Sequence, residues 1–327
     1  LEQAVARRNA PRYDWSEVDI PEPTFIGRRL IDPIHLSDLV PYIDWTFFFS
    51  AWELRGRFPA ILDDEKFGNA ARELYEHGQQ MLEKMISEKL ISAKASYGFW
   101  PANSEQDDII LWTDSSRSHE LARFPMLRQQ SALGNGAPNR CLSDFIAPIT
   151  TDRTDYLGAF AITAGLGAEA VARRYEEDLN DYDSILVKAL ADRLAEAGAE
   201  WLHARARQDW NYGHDEKFSN EELIEERYRG IRPAFGYSAC PDHRPKRTLF
   251  SILGAEDIGM KLTESCAMLP AASVSGLYFA HPESHYFSVG SIARDQIEDY
   301  AQRLGSDPSE SERWLGPNLG YAAEKKS

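Results

Sequence analysis

The order of hydrophobic and polar residues along the chain predicts a mixture of helices and strands. Within residues 63–90, most apolar side chains recur every three or four positions, the spacing of one face of an amphipathic helix. Residues 168–207 repeat this pattern and predict two helices with a break near residues 179–183. The apolar positions of the first helix are Phe67, Ala70, Ala71, Leu74, Met81, Leu82 and Met85.

Three stretches rich in β-branched and aromatic residues, with turn residues at their ends, predict strands. They read "ASYGFWPA", "DDIILWTD" and "DYLGAFAITAG", and residues 261–290 offer two or three more. Helices and strands do not alternate regularly, and no G-x-G-x-x-G follows a strand. The pattern therefore predicts an α+β fold, a single large domain with a central, mainly antiparallel twisted sheet flanked by helices, not a Rossmann fold.

Capping residues predict where the shorter helices begin and end. Ser219 precedes an acidic first turn in "SNEELIEERY", and Gly305 follows a helical pattern near the carboxyl end. "KRTLFSIL" is also expected to be helical, Ser37 is a candidate cap for a helix near "LSDLVPYIDW", and a last helix follows Asp307 or Ser309. Residues 1–40 are rich in proline and predict an extended arm.

Composition narrows the classes of function. The chain has 327 residues, of which 43% are hydrophobic, and a net charge of -16, which disfavours non-specific binding to nucleic acid or anionic membranes. Three scattered cysteines suggest no disulfide framework and fit the reducing cytoplasm. The start "LEQAVARRNAPRYDW" has neither a methionine nor a signal peptide, so we expect a piece of a longer polypeptide.

Asp44 lies in "YIDWTFFFSAW", the most aromatic stretch of the chain. A carboxylate among aromatic rings is partly desolvated and needs a partner. Two interpretations follow: Asp44 caps a helix, or it receives a cationic group of a ligand beside aromatic faces.

Acidic residues also recur along one predicted helix. Asp192, Glu196 and Glu200 are four residues apart, and Glu225 and Glu226 add a second acidic pair. Like charges at this spacing repel by a few tenths of a kcal/mol, about 0.2–0.5 per pair. The stripe is either a solvated face or a surface offered to a cation or a partner domain.

The segment "IRPAFGYSACPDH" is too broken for a helix and too rich in proline for a central strand. Arg232 has the planar fork that binds a carboxylate, and backbone groups near Gly236 can read the edge of a flat heterocycle beside Tyr237. Cys240 and His243 have no second pair of metal ligands nearby, so no metal site is predicted. With no G-x-S-x-G and no P-loop, the residues suggest a binder of a small zwitterion rather than a nucleophilic enzyme.

Many separate blocks of the chain resemble the C-terminal activation domain of cobalamin-dependent methionine synthase. They include "YIDWTFFFSAWELRGRFP", "GFWPAN", "LSDFIAP", "VKALADRLAEAGAEWLH", "RGIRPAFGYSACPDH", "GMKLTES" and "SVSGLYFAHPESHYFSVG", in the family's order and over nearly the whole chain. The resemblance implies that residues 1–327 are this activation domain and that residues 1–40 are the linker from a preceding cobalamin domain.

The resemblance also implies a function. In the family, the domain binds S-adenosylmethionine and docks on the cobalamin domain of the same polypeptide. Flavodoxin or an equivalent reductase supplies an electron, and oxidised cob(II)alamin returns to methylcobalamin. The zinc of the parent enzyme lies elsewhere in the polypeptide. We therefore expect a methyltransferase module with little activity alone, in a cytoplasmic pathway of methionine biosynthesis.

The family's binding residues carry over to named positions of this chain. Asp44 would bind the ammonium group of S-adenosylmethionine, and Arg232, which opens the family's R-x-x-x-G-Y motif, would bind the carboxylate. Asp192 would lie at the docked cobalamin domain, and no residue is expected to be catalytic. The resemblance also places these residues at or near the ligand: Glu196, Glu226, Ala234, Gly236, Tyr237, Tyr286 and Phe287.

Two rival interpretations remain open on the sequence. One is a separate S-adenosylmethionine sensor without chemistry, and the other is an ordinary methyltransferase, which usually has a Gly-rich loop that this chain lacks. Because flavodoxins are acidic like this chain, such a partner would need a local basic patch or would contact mainly the cobalamin domain. Two patches are candidates: Arg117, Arg123 and Arg128, or Lys246 and Arg247.

Overall fold

A six-stranded sheet, with antiparallel pairing throughout, forms the centre of the molecule in the computed structural model. The structure describes residues 1–132 and 134–323, without the side chain of residue 135. One edge of the long strand β2 pairs with β5, and the other edge pairs first with β1 and then with β3. The strands are β1 Gly27–Ile34, β2 Ser92–Glu105, β3 Asp108–Trp112, β4 Glu120–Pro125, β5 Asp155–Leu166 and β8 Ser273–Tyr278. Two further strands, β6 Lys261–Leu262 and β7 Met268–Leu269, form a small separate ladder.

Helices cover both faces of the sheet, as the α+β prediction requires. Successive residues of β5 point to opposite faces, so Phe160 and Ile162 join one core cluster while Ala159 and Ala161 join another. The helices are α1 Gln3–Arg8, α2 Leu36–Leu39, α3 Trp45–Ser50, α4 Gly68–Ser87, α5 Ala168–Glu177, α6 Asp181–Asp209, α7 Asn220–Ile224, α8 Lys246–Leu253, α9 Arg294–Leu304 and α10 Pro308–Trp314. Helices α2 to α6 pack on the first face, and α8 packs on the second.

The periodic helices are confirmed. α4 buries Leu74, Met81 and Met85 on the predicted face, and the break between α5 and α6 falls within the predicted residues 179–183. α7 begins after the predicted cap Ser219, whose hydroxyl accepts from the Glu222 backbone while the Glu222 carboxylate accepts from the Ser219 backbone. It ends at Ile224, so the helix predicted over "SNEELIEERY" was too long. α9 ends at Gly305, and Asp307 caps α10.

The amino-terminal region departs from the predicted extended arm. Residues Gln3–Arg8 form α1, and Gly27–Ile34 form a strand of the central sheet. α1 is held by polar contacts, because the Gln3 and Arg7 side chains both donate to the Asp299 carboxylate, at 2.8 and 2.9 Å. The arm is therefore packed against the body of the fold.

The predicted cap of the next helix was wrong by two residues. His35 takes the capping position of α2 and provides no side-chain cap, so Ser37 lies inside the first turn. Among the helices of the described residues, none is long and apolar enough to cross a membrane.

Candidate functional site

A stripe of polar side chains runs along one face of α6. Arg193, Glu196, Glu200, His203 and Arg207 follow one another at spacings of three or four residues, which places them on one side of a helix. The stripe passes from solvent into the core: Glu196 is exposed, whereas Glu200 is only 7% exposed and the next two are fully buried. The solvated interpretation of the acidic stripe is therefore wrong for Glu200, while Asp192 and Glu196 do face solvent.

Glu200 is buried because Arg232 reaches it from another part of the chain. An ion pair of 2.7 Å joins Arg232 Nη2 to Glu200 Oε2. Arg232 Nη1 also donates to the Tyr228 hydroxyl and lies 3.4 Å from His203 Nδ1. Three of the five N–H groups of the guanidinium thus have partners among the described residues, and two remain for a ligand.

Burial and charge set the protonation states of this cluster. Burial raises the pKa of Glu200, and the Arg232 charge opposes the rise. Burial lowers the pKa of His203 well below its usual value, with further lowering by Arg207 and Arg232, so the ring is neutral. Burial would also lower the pKa of Arg232, but the Glu200 carboxylate and other negative groups raise it, so the guanidinium stays charged.

Backbone contacts with β8 fix the segment that carries Arg232. Ile231 exchanges two hydrogen bonds with Phe279, and the Leu277 amide donates to the Pro233 carbonyl at 2.9 Å. The chain then turns sharply at Gly236, where φ is +98° and a Cβ atom would overlap the ring of His243. Only glycine fits this turn without strain, so the loop keeps its shape independently of the Arg232 side chain.

Two backbone groups of this loop are left without partners in the described part of the chain. The Gly236 amide donates to the Cys240 carbonyl at 2.8 Å, and the Ala234 carbonyl accepts from the Tyr237 amide at 3.2 Å. The Ala234 amide and the Gly236 carbonyl have no such bond. One donor and one acceptor, two residues apart, are the groups needed to form a pair of hydrogen bonds with the edge of an adenine ring.

Aromatic side chains surround the loop in different ways. Tyr237 is 68% exposed and Tyr286 is 42% exposed, so both present rings to solvent. The Tyr286 hydroxyl accepts from the Arg232 backbone amide at 3.0 Å, and burial of this hydroxyl raises the pKa of Tyr286 to about 12. Phe287 is half-buried and packs against the core, and Phe235 is fully buried against Phe124.

Asp44 has the first of the two roles predicted for it, as a helix cap, and it also lies at a cavity. Its Oδ1 atom accepts from the Thr46 amide at 2.9 Å and caps α3, while Oδ2 has no hydrogen-bond partner in the described residues. The residue lines a cavity of about 790 Å³ between the start of α3 and α7, together with Trp45, Phe47 and Glu225. A free carboxylate oxygen at an aromatic cavity can receive a cation.

Asp44 and Arg232 make no direct contact in the described structure, but α6 contacts Arg232 and also Phe47, which is close to Asp44 in sequence. Phe47, three residues after Asp44, lies 5.7 Å from the Arg193 guanidinium, and Arg232 is paired with Glu200. The two positions on α6 are seven residues apart, so they share one face and lie about 10 Å apart along the axis. The Phe47 ring and Arg232 therefore approach the same two turns of α6. The residues that line the Asp44 cavity do not include Arg232 or Glu196.

The remaining acids of the site differ in setting. Glu226 is exposed, has a left-handed backbone with φ of +53°, and lies close enough to Arg232 to raise the pKa of that side chain. Glu196 is exposed yet partly enclosed by protein, and this desolvation raises its pKa. Asp192 is exposed one turn earlier on α6 and pairs with Arg193.

Sequence reasoning did not identify the partners of Arg232. Glu200 was part of the acidic stripe but had no assigned role, and Tyr228 and His203 had none either. A signal existed, because a glutamate, a histidine and an arginine recur at helical spacing among the apolar residues of α6, and buried polar groups require partners. Which distant residue would supply the partner could not be read from spacing alone.

Neither of the basic patches suggested for an acidic partner lies wholly at the surface. Arg128 is 2% exposed and Lys246 is 6% exposed, so neither is available. Arg123 is committed to three carboxylates, those of Glu105, Asp108 and Glu120. Arg117 is half-buried and Arg247 is exposed, so each suggested patch keeps only part of its residues at the surface.

Comparisons with known proteins agree on one family. The sequence model of the family described as "Vitamin B12 dependent methionine synthase, activation domain" matches residues 35–305. A solved structure, described as the crystal structure of the MetH reactivation domain bound to AdoHcy, is 47% identical in sequence. The match covers 98% of this chain and 99% of the other, with a TM-score of 0.96.

Proposed function

This chain belongs to the family of activation domains of vitamin B12-dependent methionine synthase, and on that premise we propose that it binds S-adenosylmethionine for the reactivation of cobalamin. The observation that carries the proposal is the similar MetH domain bound to AdoHcy, which is S-adenosylmethionine without the transferable methyl group. At 47% identity over nearly the full length, a ligand of this class is the one to expect in the cleft beside α6.

Arg232 and Asp44 would hold the amino-acid headgroup of the ligand. The two N–H groups that Arg232 has left can donate to the carboxylate in the bidentate manner that suits a guanidinium. The free Oδ2 of Asp44 can accept from the ammonium group. The ammonium group of the headgroup would then lie beside Asp44 and its carboxylate beside Arg232.

The loop after Arg232 would hold the adenosine part. The adenine ring has a ring nitrogen that can accept from the Ala234 amide and an exocyclic amine that can donate to the Gly236 carbonyl. The exposed rings of Tyr237 and Tyr286 can pack on the ligand, and Phe287 would support them from the core. Glu226 and Glu196 would approach the ligand, directly or through water.

The chain itself supplies binding and orientation. S-adenosylmethionine would supply the methyl group, and flavodoxin or an equivalent reductase one electron, to return the cobalamin held by the neighbouring domain to its methylated form. The residues of this site would keep the sulfur-bound methyl group facing outward, because transfer requires close alignment of the reacting atoms. Asp192, exposed on α6, would face the docked cobalamin domain. We expect little activity from the chain alone.

Replacing Asp44 by asparagine is expected to weaken AdoHcy binding about tenfold, as for loss of one charge-assisted hydrogen bond. Asparagine caps helices as well as aspartate does, so α3 should stay intact while the negative charge is lost. Titration calorimetry of the 327-residue chain measures the effect.

The matched control for this experiment is Asp64→Asn. Like Asp44, Asp64 accepts from backbone amides that follow it, here two of them, at 2.8 and 2.9 Å. Unlike Asp44, it does not line the cavity, and its side chain is exposed. Its substitution should leave AdoHcy affinity unchanged. Equal affinities for the Asp44 variant and the unsubstituted chain would remove Asp44 from the binding site.

A further inference from the structure

The guanidinium of Arg232 is held by Glu200 and His203 of α6 and by Tyr228, which precedes it by four residues. Glu200 pairs with Nη2 at 2.7 Å, the Tyr228 hydroxyl accepts from Nη1, and His203 Nδ1 lies 3.4 Å from Nη1. All three are buried, at 7%, 6% and 0% exposure, whereas the Arg232 side chain is 21% exposed. The anchor therefore lies inside the protein, while part of the Arg232 side chain is exposed to solvent.

The Glu200 carboxylate has no other task in the described structure. Its second oxygen, Oε1, is buried and lacks a hydrogen-bond partner, so Arg232 provides its ion pair. A buried carboxylate with one partner is costly to keep. The ion pair with Arg232 is the contact that offsets this cost, so the position of Glu200 is tied to that of Arg232.

We infer that Glu200 is the positioning residue for Arg232, holding its guanidinium against α6 so that the remaining N–H groups face the ligand carboxylate. This inference rests on the proposed binding of an S-adenosyl ligand at Arg232. A free arginine side chain samples many rotamers, and ordering it on binding lowers affinity. Anchoring by Glu200 and Tyr228 removes that cost before the ligand arrives.

Two alternative roles for Glu200 predict different effects of its substitution on ligand binding. A purely electrostatic role would depend only on charge, and removing a carboxylate that competes for Arg232 would strengthen ligand binding. A purely structural role would weaken binding of every ligand of the cleft. Positioning should weaken only ligands that carry the carboxylate, and it should depend on whether residue 200 still has an acceptor for Arg232.

The test compares Glu200→Leu with Glu200→Gln, both titrated with AdoHcy and with 5′-methylthioadenosine. The second ligand has the adenosine and sulfur but no amino-acid headgroup. Leucine removes charge and acceptor together, whereas glutamine removes the charge and keeps an acceptor. We expect the leucine variant to bind AdoHcy about tenfold more weakly and the glutamine variant to stay within about threefold of the unsubstituted chain. Neither should change the affinity for 5′-methylthioadenosine.

Equal effects of leucine and glutamine on AdoHcy, or equal losses for both ligands, would overturn the inference. Tyr228→Phe gives a second reading if the leucine variant does not fold, since it removes one acceptor from Nη1 and should weaken AdoHcy alone by about threefold. Glu169→Gln is the control, because Glu169 is exposed on α5, pairs with Arg173 and does not line the Asp44 cavity. If the unsubstituted chain binds AdoHcy and only the Glu200 and Tyr228 variants fail these expectations, the proposed function stands without this inference.

Discussion

Replacing Arg232 by alanine is expected to weaken AdoHcy binding about 30- to 100-fold, or about 2–3 kcal/mol, the cost of losing a hydrogen-bonded charge pair with the ligand carboxylate. The loop itself should keep its shape, because the backbone bonds of Ile231 and Pro233 with β8 and of the Arg232 amide with Tyr286 do not involve the lost side chain. Titration calorimetry with AdoHcy measures the loss, and affinity for 5′-methylthioadenosine should not change.

The same substitution should also destabilise the fold, because Glu200 would remain as a buried carboxylate without a partner. The double variant Arg232→Ala with Glu200→Leu removes that carboxylate and should recover most of the lost free energy of unfolding. It should not recover AdoHcy binding. Recovery of both would show that Arg232→Ala acts through folding and that Arg232 does not contact the ligand.

The second prediction with a large effect concerns the stability of the fold, and it follows from the buried contacts of Arg128. Arg128 donates from Nε to Asp107 at 2.8 Å and from both terminal nitrogens to Asp144, at 2.6 and 2.8 Å, and its side chain is only 3% exposed. Replacing it by methionine removes the ion-pair partner of Asp144, while Asp107 keeps its ion pair with Arg7. The free energy of unfolding should fall by about 3–5 kcal/mol, the usual cost of breaking a buried ion pair, as measured by denaturant titration.

Arg123→Met is the matched control for Arg128. Arg123 also binds several carboxylates, but its side chain is 29% exposed and two of its three partners are more than one-third exposed. Surface ion pairs contribute about 0–1 kcal/mol, so the free energy of unfolding should fall by no more than about 1 kcal/mol. If the free energy of unfolding falls equally in the two variants, burial does not make the ion pairs of Arg128 stronger than those of Arg123.

The sequence was most informative where the decisive interactions are local. Helix α4 follows from the spacing of its apolar residues, and α7 follows from Ser219 and Glu222, which cap each other within one turn. The positive φ at Gly236 and Gly305 likewise matches turns that glycine alone makes without strain. Such features depend on neighbours a few residues away, so a single sequence contains the information needed to predict them.

The errors arise where a distant partner decides the outcome. Glu200 resembles Glu196 in sequence, but Arg232, 32 residues later, buries the first and leaves the second exposed. Arg128 looks like a surface cation until Asp107 and Asp144 enclose it. Charge and spacing cannot show which elements of the fold will meet.

The amino-terminal segment is a further case of a distant partner. Its prolines correctly indicate extended backbone over part of its length, but pairing of β1 with β2 makes that part a strand of the sheet. Hydrogen bonds to Asp299, almost at the other end of the chain, hold α1 in position. No local pattern in residues 1–40 identifies either partner.

The central proposal is that Asp44 and Arg232, the second anchored to α6 by Glu200, bind opposite groups of one amino-acid headgroup. The most direct test is a crystal structure of this chain with AdoHcy. We expect the Asp44 carboxylate about 3 Å from the ligand amine and the Arg232 guanidinium about 3 Å from the ligand carboxylate, the distances of charge-assisted hydrogen bonds. A ligand whose headgroup contacts neither residue, or only one of them, would contradict the claim.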